Sequence, residues 1–207
     1  IEVFEWDPSI LPVDFVQIHT YHPLRIPSEI WWYSKYCNKP WIIGETALPA
    51  DNDSISYEEQ YHFAEEVYQY VIDCGGIGFG WWEFQDHINK DMNFEANYTG
   101  LLNHEGVTKT KSGNEIIGTL KPAAYQFAKW SKVESRKSKV EELRPDNYFN
   151  MLGYENYVIK GKIIDTVGKA VEGALIRGWN NSWKVGLNTY SDENGSFTLY
   201  SNDSCTH

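Results

Sequence analysis

The amino-acid sequence predicts an α/β region of parallel βαβ units followed by a small all-β module. Three observations carry that expectation. Short apolar, β-prone runs alternate with stretches of helical periodicity over residues 14–133, the order that produces parallel strands joined by helices. Residues 131–142 (SKVESRKSKVEE) are charged and poor in large apolar side chains, and Arg144-Pro145-Asp146-Asn147 breaks whatever precedes it. From Tyr157 onward the pattern becomes strand-length runs punctuated by glycine-containing turns.

The first predicted strand is Asp14–Pro23 (DFVQIHTYHP), stopped by its proline. Residues two apart on a strand share a face, so His19 and Tyr21 point the same way at its end. His22 reads as a hydrogen-bonded packing residue. A helix is expected over Pro27–Tyr36, carrying Trp31, Trp32 and Tyr33. The second strand is Lys39-Pro40-Trp41-Ile42-Ile43-Gly44-Glu45-Thr46, led in by a proline and closed by a glycine. It delivers Glu45 to a strand's C-terminal end, where barrels of parallel strands build their chemistry. A carboxylate held there is a candidate nucleophile, although an acid at a strand end also serves to cap a helix or pair a lysine.

The next stretch, Tyr57–Asp73, places Tyr61, Ala64, Val67, Tyr68 and Val71 at helical spacing with acids opposite, and Asp53 or Ser56 as its N-cap. Cys74–Asp86 (CGGIGFGWWEFQD) follows as a glycine-rich strand, its glycines pointing to crowded packing and its end carrying Trp81 and Trp82. Either tryptophan is equally readable as a core aromatic or as a flat face for a sugar ring. A final helix over Pro122–Val133, with Tyr125, Phe127, Ala128 and Trp130, closes the series. In the last module, Val158–Asp165 is a strand, Gly168–Ile176 a turn feeding another, and Thr189–Leu199 a hairpin around Asn194-Gly195. Asp192, Glu193 and Asn194 are better explained by turn chemistry than by a cation.

These motifs, in this order, resemble the C-terminal part of a retaining glycoside hydrolase with a (β/α)8 barrel, of the large clan that includes cellulases, mannanases and β-galactosidases. The resemblance rests on His19-x-Tyr21, on the run from Pro40 to Glu45, on Trp82 with Asp86 four residues later, and on Gly100-Leu101-Leu102 with Lys121-Pro122-Ala123. It implies strands six to eight and the closing helix of the barrel within residues 1–136, then a linker over 137–156. By the same resemblance Glu45 is the nucleophile and Tyr21 its hydrogen-bonding partner. His19 contacts the substrate or the carboxylate network, Trp82 forms the sugar platform, and Asp86 is a further substrate contact. Residues 157–207 resemble an incomplete carboxypeptidase regulatory-like β-sandwich, through Gly161-x-Ile163-x-Asp165-x-x-Gly168 and the turn before Gly195-x-Phe197. Such modules imply a secreted or cell-surface protein.

A retaining hydrolase needs a second carboxyl group as acid/base. The family carries it in an Asn-Glu pair at the fourth strand, and no such pair precedes His19. Glu5 lies fourteen residues before His19, too close for the intervening strand and helix. The expected activity is therefore hydrolysis of β-glycosidic bonds in a poly- or oligosaccharide by double displacement in a parent protein. The chain alone is expected to be inactive, and its expected partners are the β-linked carbohydrate and the missing N-terminal half of the barrel. The alternatives are a non-catalytic carbohydrate-binding or surface-display protein that keeps the cleft, and a transglycosylase using the same site.

Composition agrees. The net charge of −11 excludes the basic face that nucleic-acid binding requires. Aromatic residues make up 15%, with nine tryptophans, which suits a sugar-binding surface. No stretch has the length and apolarity of a membrane span. The three cysteines, Cys37, Cys74 and Cys205, are an odd count that sets no disulfide framework. Neither zinc-ligand spacing nor a phosphate loop is present, and no cofactor is expected.

Overall fold

The computed structural model describes residues 10–50, 54–87, 95–130, 148–182 and 185–207. It is a mixed α/β structure. Three parallel strands, β1 (Val16–His19), β2 (Trp41–Glu45) and β3 (Gly78–Phe79), lie side by side in chain order. The crossovers are helices α1 (Ile26–Tyr36) and α2 (Tyr57–Asp73). Alternation sorts the strand residues. Val16, Ile18, Trp41 and Ile43 are buried in one core with Ile26, Ile30, Val67 and Val71 of the helices. Gln17 and His19 alternate with them on β1 and lie exposed. Each buried Val or Ile contributes about 1.5–3 kcal/mol relative to exposure, so the helix-covered face carries the stability of this sheet.

Helix α2 has the bounds its periodicity predicts. Ser56 is its N-cap, accepting from Glu59 N at 3.2 Å while Ser56 N donates to Glu59 Oε2 at 2.7 Å. The bonds that Ser56 N and Ser56 Oγ, the latter at 2.8 Å, donate to Oε2 hold the Glu59 carboxyl below the usual range. Asp53, the other expected cap, lies outside the described residues, as do Glu5 and the charged segment at 131–147. Helix α3 (Pro122–Trp130) packs on α2 through Trp130, whose ring stacks on Tyr68 at 4.1 Å.

The glycine-rich strand is much shorter than expected. Only Gly78 and Phe79 join the ladder to β2. Gly75, at φ 76°, and Gly76, whose N–H bonds Val71 O at 2.8 Å, are used to end α2 instead. A hairpin that the sequence did not announce, β4 (Val107–Lys109) with β5 (Glu115–Ile117), precedes α3.

Within the stretch expected to be linker, α4 (Tyr148–Leu152) packs Phe149 into the core, 5.6 Å from the Tyr200 ring. The last module is two antiparallel pairs: β6 (Tyr157–Lys162) with β9 (Ser196–Ser201), and β7 (Leu175–Trp179) with β8 (Gly186–Tyr190). The expected hairpin around Asn194-Gly195 is therefore corrected, because its two arms belong to different pairs. Asp192 Oδ1 accepts from Asn194 N at 2.9 Å and Ser196 N at 2.8 Å, forming a tight Asx turn that carries the chain from one pair to the other. Gly195 sits there at φ 75°, and a Cβ would meet Ile163 O at 2.3 Å. Leu187 and Leu199 share the core of α1, and Asn188 Nδ2 donates to Ser28 Oγ at 3.1 Å in a buried contact.

Candidate active site

Three side chains meet where the C-terminal ends of β1 and β2 emerge from the sheet. Glu45, the last residue of β2, accepts from Tyr21 OH at 2.6 Å and lies 3.1 Å from His19 Nδ1, both on Oε2. The ladder explains their approach. His19 pairs with Glu45 across an irregularity after Ile18, and Thr20 N bonds Glu45 O at 3.0 Å, so the end of β1 is drawn level with the end of β2. The sequence-predicted pair on one strand face and the strand-end carboxylate are thus brought together.

Gln17 orients the imidazole. Its Nε2 lies 2.8 Å from His19 Nε2. An amide nitrogen only donates, so His19 Nε2 accepts and Nδ1 carries the proton directed at Glu45. Gln17 in turn requires Gly44, because a Cβ there would fall 2.2 Å from Gln17 Cγ. The glycine before the carboxylate is thus space for the side chain that positions His19. Nothing in the residue types alone singles out Gln17; only the pairing of β1 with β2 does.

Burial, the hydrogen bond to Glu45 and the charges of Glu45 and Glu83 together hold the Tyr21 hydroxyl well above the usual phenol range. It remains a donor to Glu45 at any working pH.

The two tryptophans differ in packing and exposure. Trp81 packs inward against Phe63 and Phe127 and donates from Nε1 to Thr99 O at 2.7 Å. Trp82 is 40% exposed, and its N–H bonds Thr46 O at 3.0 Å, fixing it one residue past Glu45 on the neighbouring strand.

Asp86, expected as a substrate contact, is 5% exposed. Its Oδ1 accepts from Lys121 Nζ at 2.8 Å and Gly100 N at 2.7 Å. Burial pushes its carboxyl up against the pull of these donors. Its bonds tie the segment after β3 to the loops at Gly100 and Lys121. Lys121 also donates to Tyr98 O at 2.9 Å, and the same carbonyl accepts from Ala50 N at 3.0 Å and from buried Gln60 Nε2 at 3.4 Å. The segments following β2 and β3 are therefore pinned to each other and to α2. Lys121 and Gln60 escape a sequence reading because a polar residue within a helical or loop pattern is ordinarily solvated.

Glu83 follows Trp82 in the chain. Its Oε1 lies 2.6 Å from His87 Nε2, and its carbonyl accepts from Leu101 N at 3.1 Å. Burial, aided by the charge of Asp86, raises its carboxyl above the usual range against the opposing pull of His87. Among the described residues no group of three His, Cys, Asp or Glu side chains gathers as a metal site, and no helix is long and apolar enough to cross a membrane.

No protein-family model matches this sequence, and no curated protein matches it. Among solved structures, it is similar to a β-glucuronidase from an uncultured Clostridium, at 21% identity and a TM-score of 0.41, over 58% of this chain and 23% of that one. A Ruminococcus gnavus β-glucuronidase aligns at 20% identity and a TM-score of 0.42, over 58% and 22%. A β-glycosidase aligns at 15% identity and a TM-score of 0.41, over 61% and 36%. The chain spans between 22% and 36% of the length of these structures. Likeness at that level does not carry a function from one chain to another.

Proposed function

We propose that these 207 residues are the C-terminal half of a retaining β-glycosidase barrel joined to an accessory β-module, with Glu45 as the nucleophile. The observation that carries this reading is the convergence of Tyr21 OH and His19 Nδ1 on one oxygen of a carboxylate at the end of the central parallel strand, with the exposed Trp82 tied by its backbone N–H to the carbonyl of the next residue, Thr46. Because both donors take Oε2, Oε1 is the oxygen that attacks the anomeric carbon. The two bonds orient the carboxylate for in-line attack. They also steady it when the glycosyl–enzyme bond breaks and its charge returns. Trp82 stacks the sugar ring in place, and water then hydrolyses the covalent intermediate.

The sheet itself supports the half-barrel reading. Parallel strands are normally covered on both faces, yet Gln17 and His19 stand open on one face of β1, with Tyr21 exposed just past its end. The remaining strands of a barrel would cover that face and bring the acid/base carboxyl to about 5–5.5 Å from Glu45. On this reading the substrate is a β-linked poly- or oligosaccharide met outside the cell, and the 207-residue chain alone turns over nothing. Asp86 serves as a support of the loops rather than as a sugar ligand.

Replacement of Glu45 by Gln in the full-length protein is the test. Hydrolysis of aryl β-glycosides falls by several orders of magnitude while sugar binding persists. A full-length protein that binds sugar and shows no rate to lose is instead a non-catalytic binding protein.

A further inference from the structure

We propose that Thr20 is a positioning residue for this site: its hydroxyl, bound to Glu29 of α1, clamps the point where the chain leaves β1 and so holds Tyr21 on the Glu45 carboxylate. The proposal rests on the glycosidase reading above.

Tyr21 needs such a clamp because it stands outside the ladder. The register of β1 on β2 ends at His19, which pairs with Glu45 and is braced by Gln17. Tyr21 lies two residues further on, exposed, and still reaches Glu45 Oε2 at 2.6 Å. After it the chain turns at once, with Arg25 N and Ile26 N bonding His22 O at 2.8 and 3.1 Å to start α1. Thr20 is thus the last residue before Tyr21 that the sheet holds, through Thr20 N to Glu45 O at 3.0 Å. A single backbone bond leaves the next residue able to pivot.

The side chain of Thr20 adds a second point. The alternation of β1 carries on past its end: Val16, Ile18 and Thr20 are buried, while Gln17, His19 and Tyr21 are exposed. Position 20 therefore falls on the helix-covered face, where a Val or Ile would pack. A hydroxyl buried there is destabilising unless it is hydrogen-bonded. Thr20 Oγ1 donates to Glu29 Oε2, and a bond to a carboxylate is stronger than one between neutral groups. Glu29 is a fixed post. It sits in the first turn of α1, whose Ile26 and Ile30 are fully buried and whose Ser28 Oγ accepts from Asn188 Nδ2 at 3.1 Å. The Thr20 backbone is thereby tied to β2 and its side chain to α1, and the residue that follows is Tyr21.

The experiment reads the Tyr21–Glu45 bond in two ways. In NMR spectra of the 207-residue chain, the Tyr21 ring Cζ resonance reports the hydrogen bond of its hydroxyl, and Tyr21→Phe assigns it. We expect Thr20→Val, which keeps the branched shape and removes the hydroxyl, to move that resonance toward the position of a solvated tyrosine. The His19 imidazole nitrogens move far less, and Thr20→Ser restores the wild-type signal. In the full-length protein, Thr20→Val lowers kcat/KM on aryl β-glycosides about tenfold. In the Tyr21→Phe background its cost shrinks to within about twofold, because the group it positions is gone. Should Thr20→Val not fold, Glu29→Gln weakens the same bond and is read on the same signals. An unmoved Tyr21 resonance, a Ser variant that behaves as Val, or a cost as large without Tyr21 as with it overturns the proposal and leaves the bond a structural tie between β1 and α1. No turnover of any aryl β-glycoside by the full-length wild type sinks the glycosidase reading and the catalytic role with it, while the Tyr21 resonance still confirms or refutes the clamp.

Discussion

Replacing Lys121 by Met leaves a buried carboxylate without its cation, and the structure sets the cost. The Lys121 side chain is 0% exposed and that of Asp86 4%, so water reaches neither. Lys121 gives one bond of 2.8 Å to Asp86 and one of 2.9 Å to Tyr98 O. Tyr98 O keeps Ala50 N and Gln60, so its loss is minor. Among the described residues Asp86 keeps the hydrogen bond from Gly100 N at 2.7 Å. A Cβ at Gly100 would lie 2.2 Å from Asp86 N, so the site has no slack in which to admit a hydrating water. Removing one member of such a pair costs about 3–5 kcal/mol. Lys121→Met combined with Asp86→Asn removes the charge as well and costs less than the sum, with a coupling of about 2 kcal/mol. Urea denaturation of the 207-residue chain, followed by tryptophan fluorescence, reads both quantities.

The pH dependence has a definite sign. Burial raises the Asp86 carboxyl above its unfolded value, so the folded state holds that proton more tightly. Its contribution to stability is present at low pH and is lost as pH rises through the folded value. Without Lys121 the carboxyl rises further, so the cost of Lys121→Met shrinks as pH falls toward 4. A cost below about 1 kcal/mol at neutral pH, or additive single changes, would refute the claim that this pair holds the segments following β2 and β3 together.

Other substitutions separate the site from the scaffold. Tyr21→Phe deletes a hydrogen bond to a carboxylate worth about 1.5–3 kcal/mol, so kcat/KM of the full-length protein on aryl β-glycosides falls about tenfold to a hundredfold. Because Tyr21 is 41% exposed, the stability of the chain changes by less than about 0.5 kcal/mol in the same denaturation assay. Gly44→Ala pushes Gln17 aside. Gln17 is exposed and can swing, so the fold loses less than about 1 kcal/mol. Activity still drops about tenfold or more as His19 loses its brace, and the imidazole nitrogen shifts in NMR spectra report that loss directly. Ser56→Ala removes the cap of α2 and costs about 1 kcal/mol by thermal or urea unfolding. Because Glu59 is held below its unfolded value, its share of the cap is present above the unfolded value and is lost as pH falls through the folded one.

Local signals were strongest where one physical rule acted alone. Helix α2 combines a continuous apolar stripe, Ala64, Val67 and Val71, with a Ser-x-x-Glu cap, and its ends are readable to the residue. The placement of Glu45 at the end of a parallel strand was legible because proline, apolar run and glycine delimit a buried strand. Where rules competed, the reading failed. In residues 74–80 glycines serve both to end a helix and to let strands approach, so the strand was drawn too long. Asn194-Gly195 makes a tight turn in either case, and only long-range pairing decides that its arms go to different partners. Lys121, Gln60 and Gln17 act through contacts with residues distant in sequence, which no local pattern encodes. Asp86 shows the same limit from the other side, since a carboxylate four residues past an exposed tryptophan can serve a ligand or the loop beneath it. Here a buried lysine takes it for the loop.

Trapping the covalent intermediate tests the role of Glu45 most directly. The full-length protein is treated with an activated 2-deoxy-2-fluoro-β-glycoside, which slows release of the glycosyl–enzyme, and the labelled peptide is sequenced by mass spectrometry. A 2-fluoroglycosyl group on Glu45, absent from the Glu45→Gln protein, is the expected result. A label on any other carboxylate, or steady turnover with inversion at the anomeric carbon and no label at all, would contradict it.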